Sequence, residues 1–129
     1  MQIEETIVYL FAIQAYAKNV HYRSKGDAFY AMHLLADKVQ ENIQEHIDTI
    51  IETCILPYGL PLPINEYWIE ASRVIKTDIY NFRGLQSLIE KALEQLETVE
   101  ARTRAENAII DDVARDLTNS LGLITRQVG

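Results

Sequence analysis

Residues 28 to about 54 carry two stripes that one long helix would hold on separate faces, and this restricts the chain more than any other feature. On a wheel of about 100° per residue with His33 at zero, Asp37, Asp48 and Glu52 fall at roughly 40°, 60° and 100°. Ala36, Val39, Ile43, Ile47, Ile50 and Cys54 fall between roughly 240° and 320° on the same wheel. The second stripe can seat the helix in a bundle. The first holds imidazole and carboxylate groups with no lysine among them, unlike the mixture of a solvated face. His46, near 220°, reads as a surface or core-edge residue.

Distance limits what the first stripe can do within one chain. Asp37 and Asp48 are eleven residues apart, about 16 Å along a helix axis, whereas a metal needs donor atoms roughly 2 Å away. Two copies packed antiparallel about a two-fold axis would set the His33/Asp37 end of one against the Asp48/Glu52 end of the other. A reversal at Lys25-Gly26-Asp27, with Gly26 or Asp27 at the helix start, would bring His21 to the first half-site.

The segment HYRSKGDAFYAMHLLADKVQENIQEHIDTIIE resembles the ferroxidase segment of the Dps family, the miniferritins. His21, His33, Asp37, Asp48 and Glu52 match that family's ligand spacing at every interval, and Gly26, Phe29 and the HLLAD stretch fit its surroundings. The resemblance implies an all-α fold, a ferritin-like four-helix bundle with a reduced connection between helices two and three, as a single domain over 1–129. It implies a ferroxidase in which His21, His33 and Asp37 of one subunit join Asp48 and Glu52 of the two-fold partner as metal-ligating and catalytic residues. Iron, as Fe²⁺ and Fe³⁺, would be bound and oxidised with hydrogen peroxide or dioxygen, and ferric mineral stored in a hollow homo-oligomer, a dodecamer built from two-fold dimers. Two imidazoles and three carboxylates make a donor set suited to ferrous iron. Two competing readings remain: a non-catalytic helical scaffold in which the same cluster stabilises a dimer interface, and a DNA-compacting module.

The chain departs from the family pattern at Tyr22, where a tryptophan usually follows the first histidine, and neither end carries a lysine-rich tail. With 19 acidic against 12 basic residues the net charge is −7, so the mean surface field repels a phosphate backbone and speaks against direct DNA binding. Cys54 is the only cysteine, which excludes an intrachain disulfide and suits a reducing, cytoplasmic location. No run approaches about 18 apolar residues, so no membrane span is expected.

The remaining elements follow from periodicity. Helix one is predicted over 3 to about 23, with Ile3, Ile7, Leu10, Phe11, Ile13, Ala17 and Val20 facing a core and Tyr9, Tyr16 and Tyr22 along or near it, filling space or, for Tyr22 beside His21, donating an electron to an iron-oxidising centre. Three prolines and a glycine between Leu56 and Pro63 stop the second helix. INEYWIEASRVI predicts a short helix or turn whose Trp68 serves a subunit interface or covers the bundle. A third helix is predicted over 73–99, with Gly84 as a kink or close packing point, and a fourth over 103–126. Glu90, Glu94, Glu97 and Glu100 read as a solvated face; Glu106, Asp111, Asp112 and Asp116 suit the early turns of a helix, or a symmetry-axis entry route in a closed shell.

Overall fold

A computed structural model describes residues 2–26 and 29–128. Among the described residues six α-helices form: α1 (Gln2–Arg23), α2 (Phe29–Glu41), α3 (Ile43–Ile50), α4 (Ile64–Val74), α5 (Phe82–Glu97) and α6 (Arg104–Val128). A π-helical segment, Ile51–Ile55, continues α3. The protein is an all-α bundle of the ferritin-like kind. Its four walls are α1, the α2–α3 rod, α5 and α6, with α4 held in the connection between rod and α5.

The first helix lies at the centre of the packing. It meets α2, α3, α4 and α5, so it buries most of its circumference: Ile3, Ile7, Leu10, Phe11, Ala12, Ile13, Ala17 and Val20 are all inside. A helix surrounded in this way must be apolar beyond one stripe. One buried polar bond joins α1 to α5, where Thr6 Oγ1 donates to Gln95 Oε1 at 2.7 Å.

The rod follows its predicted apolar face. Ala36, Val39, Ile43, Ile47, Ile50 and Cys54 are all buried. It is not one uniform helix, however. Asn42, at φ −89° and ψ −6°, interrupts it, and near its end Leu56 N donates to Ile51 O at 2.9 Å, a bond reaching five residues back instead of four. The predicted helix start at Asp27 and Ala28 lies outside the described residues. Gly26 makes the predicted reversal at φ +94°, a conformation that an L side chain strains to adopt.

After the proline-rich break, Tyr67 anchors α4. Its ring is buried, it lies 6.0 Å from Phe11, and its hydroxyl accepts from Leu62 N at 3.2 Å. Trp68 packs on Phe11 at 4.8 Å, so it covers the bundle within the chain while keeping part of its surface open.

The third predicted helix is corrected at its start: α4 ends at Val74 and α5 begins only at Phe82. Ile75 already takes an extended conformation, Thr77 Oγ1 accepts from Ile79 N, and the Asn81 side chain accepts from Gly84 N at 2.8 Å as the cap of α5. Local side-chain bonding overrides the apolar spacing of Ile75 and Ile79 there. The close packing expected at Gly84 is found. A Cβ there would stand 1.8 Å from the Tyr16 hydroxyl.

Candidate functional site

His21 closes α1 and His33 lies one turn into α2, so the reversal between them sets the two rings face to face, 3.6 Å between centroids and 22° between planes. Each ring also binds the other residue's backbone. His21 Nδ1 donates to His33 O at 2.9 Å and His33 Nδ1 donates to His21 O at 3.0 Å. A carbonyl only accepts, so both Nδ1 atoms carry hydrogen. The pair is a reciprocal clasp across the turn, flanked by Tyr22 at 5.1 Å and Phe29 at 5.2 Å.

None of the three carboxylates is bonded to this clasp. Asp37, one turn beyond His33, is exposed and accepts from Gln40 Nε2 at 3.0 Å. Asp48 accepts from Gln44 Nε2 at 3.0 Å, and Gln44 Oε1 in turn accepts from Gln14 Nε2 of α1 at 3.2 Å. Glu52 is exposed in the π-helical segment.

These positions overturn the ferroxidase expectation. Among the described residues no three His, Cys, Asp or Glu side chains come together so that they could hold a metal ion. The triad His21, His33 and Asp37, which one subunit was to supply, is not assembled. The Nδ1 hydrogens of both histidines go to backbone carbonyls, which leaves each Nε2 free, so what is missing is the third donor: Asp37 is bonded along its own helix. The assignments of a ferroxidase, of bound iron as Fe²⁺ or Fe³⁺, and of metal ligation and iron storage are corrected accordingly.

Two clusters that the spacing did not reveal join the helices instead. Arg102, between α5 and α6, binds Glu106 through Nε at 3.1 Å, gives Nη2 to Cys54 O at the end of the rod, and lies 3.9 Å from the Tyr58 ring centre. Glu106 is buried, and its backbone N donates to the Thr103 side-chain hydroxyl, Oγ1, at 3.1 Å. The T-x-x-E spacing of Thr103 and Glu106 was the available signal for a capped helix start, but nothing local foretold Arg102's reach to Cys54. Burial pushes the Cys54 thiol pKa up, and the Glu106 charge adds to this while Arg102 opposes it.

Across the bundle, His46 Nε2 meets Asp116 Oδ2 at 2.6 Å, joining α3 to α6. His46 is therefore the core-edge residue expected, with a partner seventy positions away. Asp112 pairs with Arg115 on its own helix. Three of the four acids suggested for an entry route, Glu106, Asp112 and Asp116, are thus engaged within the chain. A groove of about 380 Å³ lies between α3 and α6 beside these pairs.

No family model matches the chain, and no curated protein matches it significantly.

Proposed function

We propose that this chain is the structural subunit of a homo-oligomer, a Dps-family relative by its 21–52 segment, that works through assembly and without ferroxidase chemistry. One observation carries the reading: large apolar side chains are left exposed in a single stretch. Leu60 is 87% exposed, Leu56, Tyr58, Ile64 and Ile69 roughly half, and Leu62 and Trp68 more than a third. Together they present roughly 650 Å² of surface, taking about 180 Å² for each whole side chain. That sum over the stretch lies just above the roughly 300–600 Å² of a typical monomer's largest apolar patch and below the roughly 800 Å² that each partner contributes to a stable interface. Phe29, Tyr30 and Leu34 add a second apolar surface on α2.

A closed assembly of two-fold dimers, a dodecamer as in the family it resembles, is the proposed form, and the lone, buried Cys54 suits a cytoplasmic setting. No described helix is long and apolar enough to cross a membrane. Light scattering on a sizing column tests the assembly. Twelve copies of 14.8 kDa give a particle of about 178 kDa. Leu60→Asp with Ile69→Asp should reduce it to smaller species at unchanged helical content. A wild-type monomer at micromolar concentration would refute the reading.

A further inference from the structure

A pocket of about 180 Å³ opens where the segment after α4 passes over α5. Its floor is apolar, formed by Ile75, Leu88 and the ring of Tyr16. Tyr16 offers only that ring, because its hydroxyl already donates to Ile79 O at 3.0 Å and accepts from Asn81 N at 3.2 Å. The rim differs in kind. Lys76 and Lys91 both line it, two of the chain's five lysines, and both are exposed. No aspartate or glutamate among the described residues lines the same pocket, although the chain carries 19 acidic residues. Neither lysine forms an ion pair among the described residues.

Two unpaired ammonium groups above an apolar floor complement a molecule that is anionic at one end and apolar at the other. We infer that this pocket binds a small organic carboxylate with a short apolar body: the carboxylate lies between Lys76 and Lys91 and the body on Tyr16, Ile75 and Leu88. Exposed ammonium groups are screened by water and salt, so each contributes modestly and the site is a weak one, with a Kd on the order of 1 mM for a six-carbon acid.

Hexanoate titrated into the full chain, followed by backbone amide NMR shifts, tests this. Saturable shifts are expected around Gly84, Ser87 and Lys91. The double variant Lys76→Gln with Lys91→Gln, whose exposed positions leave the fold intact, should weaken binding about tenfold or more, equivalent to about 1.4 kcal/mol. Hexan-1-ol, which lacks the charge, and inorganic phosphate, which lacks the apolar body, should each bind at least about tenfold more weakly than hexanoate. Ser87→Leu, projecting a larger side chain at the rim, should also weaken it. The inference fails if hexanoate does not saturate by about 20 mM, if the double variant binds as wild type does, or if phosphate binds as well as hexanoate.

Discussion

His21 and His33 illustrate how far a residue pattern reaches. Their spacing with Asp37 places three potential ligands near one helix turn, and a family resemblance then supplies a chemistry. Spacing does not say which ring nitrogen faces a metal and which faces the backbone. Here the turn at Gly26 lets each imidazole bind the other residue's carbonyl, and no third ligand among the described residues joins them. Gly84 is the opposite case, because the sequence alone marked it as an oddity inside a helix and close packing explains it. The Tyr16 hydroxyl occupies the place of the missing side chain and is fixed there by bonds to Ile79 and Asn81. Gly84→Ala should therefore destabilise the protein by about 1–3 kcal/mol despite alanine's better helix propensity, since one rigid contact must be displaced. Urea unfolding measures it, and the same substitution in a Tyr16→Ala background should be neutral or stabilising. An equal penalty in both backgrounds would place the strain elsewhere.

At the level of elements, the apolar face of 36–54, the limits of α1 and α6 and the proline-rich break were legible because periodicity and helix stops act within a few residues. The start of α5 was not. Ile75 and Ile79 continued an apolar spacing that Asn81's cap in fact cuts off, and Ile79 lies exposed. Long-range pairings such as His46 with Asp116 were invisible for a different reason: nothing in a helix's own pattern specifies its partner across the bundle. Arg102 makes another such link, reaching Cys54 O from the turn before α6. It satisfies Glu106 and caps the rod through Cys54 O. Arg102→Ala leaves a carboxylate only 4% exposed without its cation. Breaking a fully buried pair would be destabilising by about 3–5 kcal/mol; with the guanidinium 38% exposed, about 2–3 kcal/mol is expected. A double-mutant cycle with Glu106→Gln, read by thermal and urea unfolding, should give a coupling above about 1 kcal/mol. Additive losses would mean that the two side chains stabilise the fold independently.

For the molecule as a whole, two groups among the described residues, Cys54 and Tyr67, have their protonation displaced on folding, and both act on the alkaline side. Burial raises the pKa of the Cys54 thiol, with Glu106 adding to the rise. It also raises that of the Tyr67 hydroxyl, which the bond from Leu62 N partly offsets and the Glu4 carboxylate reinforces. Each group is neutral when protonated, so the native state holds its proton longer than the unfolded chain does. Below about pH 8.5, the ordinary thiol range, both states keep both protons and stability is undiminished. As pH rises past that value the unfolded chain releases the Cys54 proton while the native bundle retains it, and stability falls. Tyr67 adds a second decline of the same sign from about pH 10. One proton of difference corresponds to at most about 1.4 kcal/mol per pH unit. Urea unfolding at fixed protein concentration between about pH 8 and 11 should show Cys54→Ala losing less stability than wild type in the lower part of that range. Tyr67→Phe should flatten only the upper part. Because comparison of slopes removes the packing penalty of each substitution, parallel curves for wild type and both variants would show that neither group titrates differently in the folded and unfolded chains.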